Sequence, residues 1–181
     1  MRTKPRTIWT IGHSTRTEKK FKDILLAHEI ETLVDVRAFP VSRRFPHFNK
    51  VDLSESLGRI GIHYHHEPRL GGRRTPRKNS KNLGLRDDAF RGYADYMETD
   101  EFAAGIKTLL DIALKSRTVI MCAEAVYLRC HRCLVSDYLY AQQQGHTVIH
   151  IVDANSVKEH FYTSYARVPS KGKLSYPGLW G

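Results

Sequence analysis

The sequence lacks any apolar run close to the roughly 20 residues that a helix needs to cross a bilayer. Three of its first six residues are Arg or Lys, and this start leads into a strand-like pattern, not into the apolar core of a signal peptide. It also lacks internal repeats and low-complexity segments. We therefore expect a cytoplasmic protein that does not use a membrane as a partner.

Cysteine is scarce, with 3 residues in a chain of 181. An odd number at low density argues against a secreted disulfide framework and leaves reduced thiols, a metal site or redox chemistry. All three cysteines lie within residues 118–133, where an apolar strand-like run ends and a helix-like segment begins. In α/β proteins ligands bind at such junctions, because the helix start offers unpaired N–H groups and a positive dipole end. We expect an anionic ligand there.

Short apolar segments alternate along the chain with helical patterns, which is typical of βαβ units and of a parallel sheet covered on both faces. The length of 181 residues and a hydrophobic content of 41% fit one packed core. We predict an α/β fold: a single three-layer, Rossmann-like domain with a mostly parallel five-stranded sheet. The domain is expected over residues 7–168, between a basic N-terminal extension (1–6) and a C-terminal tail (169–181). The predicted strands are 7–12, 32–36, 62–66, 118–122 and 147–152, and the predicted helices are 18–28, 52–60, 87–98, 99–114, 130–144 and 155–162.

Positive charge is concentrated in one part of the chain. Residues 37–86 contain twelve Lys or Arg and three acidic residues, so this segment carries +9 of the total net charge of +10. A local positive field attracts phosphate-rich partners such as nucleic acid or a nucleotide. The alternative is a solvated surface loop. Within this segment residues 68–84 are rich in Gly, Arg and Lys and read as a long loop, which at that length is usually functional or mobile.

Ionisable side chains follow most of the predicted strands. His13 and Ser14 follow the first strand, Asp35 and Arg37 follow the second, and Glu124 follows the fourth. Because the carboxyl ends of parallel strands meet at one rim of a sheet, we expect these groups to lie near one another. Arginines beside a helix start suit phosphate, and the acidic residues can orient arginines or handle protons. Alternatively, Asp35 only ties down Arg37 and His13 is an ordinary loop histidine.

Two cysteines are candidates for a nucleophile. Cys130 lies at the predicted start of a helix beside Arg129, His131 and Arg132, so positive charge and the helix dipole favour its thiolate. Cys122, at the end of the fourth predicted strand, is the other candidate nucleophile. Buried cysteines more commonly serve only for packing.

Several separated motifs occur together in one order: Thr10-Ile-Gly-His-Ser-Thr15, Leu33-Val-Asp-Val-Arg37 with Pro40, Ser42-Arg43-Arg44 with Pro46, Phe48-Asn49, Leu70-Gly-Gly-Arg73, Gly92-Tyr-Ala-Asp-Tyr-Met97 and Met121-Cys-Ala-Glu-Ala125 with Cys130-His-Arg132. In these motifs the chain resembles the bacterial and archaeal domain-of-unknown-function family numbered 488 over about residues 7–160. The resemblance implies a cytosolic, single-domain α/β protein. Its signature residues correspond to His13, Ser14, Asp35, Arg37, Arg43, Arg44, Glu124, Cys130, His131 and Arg132. Cys133 is not part of that pattern, so a Cys130–Cys133 redox pair is interpreted as incidental.

These observations predict an enzyme, a thiol- or acid/base-dependent hydrolase or transferase that acts on a phosphate-bearing substrate such as a nucleotide or nucleic acid. No cofactor is expected. The catalytic candidates are Cys130, His131, Glu124, Cys122 and His13. The anion-binding candidates are Ser14, Arg37, Arg43, Arg44, Arg129 and Arg132, with Asp35 as the orienting residue.

Three alternatives stay open, and so does the oligomeric state. A non-catalytic nucleic-acid-binding module would use the basic segment 37–86, where aromatic residues are interleaved with arginines. A cysteine-loop activity, phosphatase- or rhodanese-like, fits less well, because six residues separate Cys122 from Arg129 where a phosphatase loop has five, and none is glycine. A metal site built from the three cysteines with His131 or His13 is also weak, because neighbouring residues on a helix point in different directions.

Overall fold

In the computed structural model, which describes residues 6–142, 145–168 and 173–178, one mixed sheet is covered by helices on both faces. Six strands form the sheet: β1 (Thr7–Gly12), β2 (Thr32–Asp35), β3 (His63–His66), β4 (Thr118–Cys122), β5 (Thr147–Asp153) and β6 (Ser156–Glu159). Five α-helices accompany them: α1 (Glu18–Ala27), α2 (Lys50–Gly58), α3 (Asp88–Tyr96), α4 (Asp100–Ala113) and α5 (Arg132–Ala141). Short 3-10 helices lie at Pro46–Phe48, Pro68–Leu70 and Tyr127–Arg129.

The strands are arranged in the order β3-β2-β4-β1-β5-β6. All neighbours pair in parallel except β5 and β6, which pair antiparallel. The predicted three-layer α/β architecture with a mostly parallel sheet is therefore confirmed. The carboxyl ends of β2, β4 and β1 lie side by side in the middle of the sheet, where loops leave room for a ligand.

The prediction of five strands, with a helix at residues 155–162, was wrong. Ser156–Glu159 is a sixth strand, and its four side chains are all exposed. This segment has no apolar face, so its sequence carries no periodic signal. Its conformation is decided by backbone hydrogen bonds to the edge of β5. The next difference is smaller: the helix predicted from residue 130 begins at Arg132, after the 3-10 turn Tyr127–Arg129.

Alternating side chains of the central strands pack into two cores, one on each face. Along β4, Val119 and Met121 join the core beneath α1 and α2, whereas Ile120 and Cys122 join the core beneath α3, α4 and α5. A strand turns successive side chains to opposite faces, so this split follows from the sequence of β4. It places the side chain of Cys122 on the face of the sheet that α5 covers.

The two predicted terminal segments are only partly described. Residues 1–5, 169–172 and 179–181 lie outside the described residues, as do residues 143–144 of the predicted helix 130–144. In the described part of the predicted tail, Ser175 pairs with Arg167 and Tyr176 is fully buried. No helix in the described ranges is long and apolar enough to cross a membrane.

Candidate functional site

The loops that follow β1, β2 and β4 are joined by backbone hydrogen bonds. Gly12 lies beside Cys122 in the sheet register, and the N–H groups of His13 and Ser14 donate to the carbonyls of Cys122 and Ala123, each at 2.9 Å. Beyond these strand ends lies a cleft of about 450 Å³. It is lined by His13, Arg37, Ala38, Phe39, Val41, Ser42, Gly72, Arg73, Cys122, Ala123 and His131. A cleft of this volume suits a small ligand.

Two sulfur atoms meet at the wall of this cleft. The Sγ atoms of Cys122 and Cys130 are 2.6 Å apart, and neither residue is bonded in a disulfide. Cys122 comes from the end of β4, and Cys130 comes from the turn that precedes α5. Both are buried, at 2% and 6% exposure, and of the two only Cys122 lines the cleft.

Arg132 places a positive charge against this sulfur pair. Its Nε donates to Cys122 Sγ at 3.0 Å, and its remaining nitrogens donate to Thr10 Oγ1 and to the carbonyls of Glu124 and Ala125. The side chain is 1% exposed. No carboxylate in the described parts of the chain lies within ion-pair distance of it. A guanidinium stays charged at every physiological pH and needs a nearby anion when buried. The groups within its reach that can become anions are the two thiols.

The pKa values of the two thiols diverge because the sulfurs share a proton. Burial raises the pKa of Cys122 well above its ordinary value, and the hydrogen bond to Cys130 raises it further. Burial acts against the thiolate of Cys130 too, but the contacts with Cys122 and His131 and the charge of Arg132 outweigh it and bring the pKa of Cys130 well below its ordinary value. The pair therefore gives up its first proton readily and holds the second.

His131 is positioned to exchange a proton with Cys130. Its Nε2 lies 3.2 Å from the carbonyl of Val36, which can only accept a hydrogen bond, so we assign the ring proton to Nε2. Nδ1 then carries the lone pair, 3.6 Å from Cys130 Sγ. A Cβ added to Gly72 would lie 2.9 Å from this Nδ1, so glycine allows the 68–84 loop to close against the ring.

At the end of β2, Asp35 holds the buried guanidinium of Arg37, which lines the cleft. Arg37 Nε lies 2.9 Å from Asp35 Oδ1 and its terminal NH2 nitrogen lies 2.6 Å from Oδ2, while Tyr64 donates to the same carboxylate. The other terminal nitrogen, NH1, lies 3.4 Å from His13 Nε2. Burial lowers the pKa of His13 to about 4, and the charge of Arg37 acts in the same direction. The hydrogen bond to Ser14 raises this pKa but does not outweigh burial. His13 is thus neutral at pH 7.

A chain of buried hydrogen bonds leads away from Arg132. Thr10 Oγ1 lies 2.7 Å from His150 Nδ1, His150 Nε2 lies 3.0 Å from His160 Nδ1, and His160 Nε2 lies 3.0 Å from Asp137 Oδ1. Burial, followed by the charges of His160 and Arg132, lowers the pKa of His150 to about 3. An arginine can only donate and a carboxylate can only accept. The relay therefore has a donor, Arg132, at one end and an acceptor, Asp137, at the other.

This relay holds the guanidinium in place. Its end point, Asp137, is fully buried and also accepts hydrogen bonds from the backbone and hydroxyl of Thr163 and from the hydroxyl of Tyr176. Tyr127 stacks on the ring of His150, with the ring centroids 3.5 Å apart. The buried polar groups of the relay are thus all paired, which keeps Arg132 aimed at the sulfurs.

The predicted site residues fall into two groups. His13, Arg37, Cys122 and His131 line the cleft, and Asp35, Cys130 and Arg132 support that wall directly. The side chain of Glu124 is exposed and accepts only from the backbone of Val126, so it does not reach the cleft. The predicted anion-binding residues Arg43, Arg44 and Arg129 are exposed and do not line it, and Ser14 is half-buried at its edge with a φ of 52°.

The relay and part of the cleft wall were not predicted from the sequence. Thr10 and His150 interrupt otherwise apolar strands, and that interruption was the available signal. Gly72 and Arg73 belong to the loop predicted to be functional or mobile, and they line the cleft. In the described ranges no group of three or more His, Cys, Asp or Glu side chains could hold a metal ion. Burial raises the pKa of the Cys133 thiol, which packs in the core and not at the cleft.

Comparison with known proteins supports the resemblance seen in the motifs. The family model for the domain of unknown function DUF488 matches residues 17–139, more than half of the chain. The chain belongs to this family. The matched region of this DUF488 protein contains Asp35, Arg37 and the whole cysteine segment, whereas His13 lies before it. No curated protein and no solved structure matches the chain.

Proposed function

We propose that this DUF488 protein is an enzyme that uses a cysteine thiolate on a phosphate-bearing substrate, a nucleotide or nucleic acid, bound in the cleft. The observation that carries the proposal is the buried charge of Arg132, which has a sulfur pair beside it and, among the described residues, no carboxylate. Such an arrangement keeps one thiol ionised at neutral pH. An ionised thiol at the wall of a cleft is the usual form of an activated nucleophile.

The roles follow from the positions of the side chains. Cys122 faces the cleft and carries the attacking sulfur after its proton has moved to Cys130 across their contact, and His131 Nδ1 is placed to take a proton from Cys130. Arg37 turns NH1, the nitrogen that Asp35 does not bind, toward His13 and the cleft. Arg73 lines the same space. Asp35 already offsets the charge of Arg37, so the exposed Arg73 supplies the positive charge that favours an anionic substrate in the cleft.

A phosphatase-like cysteine loop is not favoured. In such loops the backbone N–H groups converge on the anion. Here the loop after Cys122 directs carbonyls inward instead: Ala123 accepts from Ser14, and Glu124 accepts from Arg132. The loop also lacks the glycines that allow successive N–H groups to turn toward one anion.

The first test is the rate of alkylation of each cysteine against pH, resolved by peptide mass spectrometry on the folded protein. We expect the Cys122/Cys130 pair to react as a thiolate well below the usual thiol pKa of about 8.5. Cys133 should react only after unfolding. A short oligonucleotide or a nucleoside triphosphate should protect the pair.

The control for this test is Cys133→Ser, which should leave the pH profile and the protection unchanged. If the pair titrates like ordinary thiols, the thiolate mechanism is wrong. If it titrates low but neither phosphate ligand protects it, the substrate class is wrong.

A second candidate function is nucleic-acid binding by the segment 37–50. Phe39 is 69% exposed, Arg43 and Arg44 are exposed, and the segment borders the cleft. Exposed aromatic rings among arginines can stack on bases and contact phosphates. Arg43→Ala with Arg44→Ala should reduce the slope of log K against log salt by about 1 to 2 for single-stranded DNA. The control is the double variant Lys107→Ala with Lys115→Ala, two exposed lysines outside this segment, which should leave the slope unchanged. If both double variants change the slope equally, the segment 37–50 is not the nucleic-acid-binding surface.

A further inference from the structure

The two sulfurs at the cleft are placed to exchange electrons as well as to share a proton. Cys122 and Cys130 Sγ are 2.6 Å apart, close to the roughly 2.05 Å of an S–S bond. We propose that Cys122 and Cys130 form a dithiol redox centre that reduces small anionic disulfides and becomes an internal disulfide in doing so. This inference uses the same sulfur pair as the proposed function but does not depend on a phosphate ligand.

The elements around the pair allow the bond to form without rearranging the fold. Cys122 is fixed at the end of a central strand, whereas Cys130 follows a short turn whose preceding residues, 123–126, are exposed. A shift of less than 1 Å in this turn brings the sulfurs to bonding distance. Cys133 lies in the first turn of α5, packed in the core and remote from the cleft lining. The partner of Cys122 is therefore Cys130.

The reaction runs in two thiol–disulfide exchanges. The proton of Cys122 first moves to Cys130 across their contact. The Cys122 thiolate then attacks one sulfur of a disulfide R–S–S–R, forms a mixed disulfide and releases R–S⁻. Cys130 then loses its proton to His131 Nδ1 and attacks Cys122 Sγ, which releases the second R–S⁻. Both leaving thiolates take up a proton. In sum, two protein thiols and R–S–S–R give one protein disulfide and two R–SH, with two electrons passed from the protein to the substrate.

The cleft indicates which disulfides are preferred. An incoming disulfide reaches Cys122 from the cleft, with Cys130 behind it, since Cys122 lines the cleft and Cys130 does not. The cleft also presents Arg37 and Arg73. Asp35 offsets the charge of Arg37, so the exposed Arg73 supplies the charge that attracts a disulfide carrying carboxylates and repels one carrying amines. A volume of about 450 Å³ admits a small disulfide but not a folded protein.

The test uses the full chain, reduced and freed of reductant, mixed with oxidised glutathione and quenched with an alkylating reagent. Peptide mass spectrometry should show a bond between Cys122 and Cys130, two equivalents of glutathione released and Cys133 still free to be alkylated. Cys133→Ser should behave as the wild type, while Cys130→Ser should stop at a mixed disulfide on Cys122. Three results with the wild-type protein would overturn the proposal: it stays reduced, it stops at the mixed disulfide, or it forms a bond through Cys133. All three are measured on the wild type, so they do not depend on whether a variant folds.

The substrate class is tested with a charge series. Oxidised glutathione should oxidise the pair at least about tenfold faster than cystamine, after correction for the rates of both with a free small thiol. Arg73→Ala should slow the anionic disulfide several-fold and leave cystamine unaffected or faster. Arg129→Ala, which removes an exposed cation outside the cleft lining, is the matched control. Equal corrected rates for both reagents would show that the cleft does not select anionic disulfides.

The outcome separates this inference from the proposed function. If the Cys122–Cys130 bond forms but no phosphate ligand protects the thiols from alkylation, the redox centre is supported and the phosphate-bearing substrate is contradicted. Protection by a nucleotide in a protein that never forms the bond would do the reverse.

Discussion

Arg132 carries a full positive charge in a part of the protein that water does not reach. It is 1% exposed and its Nε lies 3.0 Å from Cys122 Sγ. A buried cation costs several kcal/mol unless an anion compensates it. The same contact that stabilises Arg132 therefore also stabilises the thiolate of the Cys122/Cys130 pair, and each side chain depends on the charge of the other.

Replacing Arg132 by Met should remove this compensation and keep most of the side-chain volume. The pH at which the pair becomes reactive should rise by one unit or more, so alkylation at pH 7 should slow by about tenfold or more. Arg132→Lys keeps the positive charge but loses the planar guanidinium. Its alkylation rate at pH 7 should lie between those of the Met variant and the wild type.

Arg129→Ala is the control for these variants, because Arg129 is an exposed cation of the same segment. Its alkylation profile against pH should match that of the wild type. A Met variant with an unshifted profile would show that Arg132 does not hold the thiolate.

At the scale of elements, β1 and the loop after β4 approach each other more closely than any side chain would allow. A Cβ on Gly12 would lie 1.8 Å from the carbonyl oxygen of Glu124 and 2.9 Å from Arg132. Gly12→Ala should therefore push the loop away, with a loss of about 3 kcal/mol or more in the free energy of unfolding. The pair should also lose its low pKa, because the loop carries the carbonyls that hold Arg132.

Gly58→Ala is the matched control for this change. Gly58 ends α2, and a Cβ there would meet nothing within 4 Å. Alanine should leave stability unchanged or raise it by up to about 1 kcal/mol. Urea unfolding of both variants gives the comparison, and a mild effect at Gly12 would mean that β1 and the loop are not held together as described.

The hydrogen-bond relay connects β1, β5 and α5 through side chains. Asp137 accepts from His160, Thr163 and Tyr176, so Asp137→Asn leaves donors facing an amide that donates as well. We expect a loss of about 1 to 3 kcal/mol in the free energy of unfolding. Asp111→Asn, at an exposed carboxylate paired with Lys107, should cost less than about 1 kcal/mol. Similar losses in the two variants would mean that the relay contributes little.

At the scale of the whole molecule, two buried neutral histidines make the fold sensitive to acid. Burial lowers the pKa of His13 to about 4 and that of His150 to about 3. In the unfolded chain each histidine takes up a proton near pH 6.5. Because the folded pKa is the lower one, this contribution to stability is complete above about pH 6.5 and is lost as the pH falls toward 4.

The free energy of unfolding should therefore fall between pH 7 and 4.5 by about 2 to 3 kcal/mol for each of these histidines. His13→Gln should make the dependence on pH shallower. His63→Gln, at an exposed position of β3, should leave the slope as it is. Urea unfolding across this pH range measures the slopes, and equal slopes for the two variants would contradict the role of His13.

The sequence by itself determined the layers of the molecule and the edge at which its site lies. Short apolar runs separated by helical patterns specify a parallel sheet, because a strand buried on both faces has a continuous apolar sequence. The exposed strand β6 has no continuous apolar run, so it was not predicted. The polar residues after β1, β2 and β4 were likewise visible as a group, since parallel strands bring their carboxyl ends to one side.

Only the tertiary structure decided which of those residues act together. The pairing of Cys122 with Cys130, the exposure of Glu124 and the direction of Arg132 depend on how the loop after β4 folds back, which no periodicity encodes. The contact between Thr10 and His150 joins residues 140 positions apart because β1 and β5 are neighbours in the sheet. Strand order is a property of the packed whole, and it places the relay, and with it the charge, beside the sulfurs.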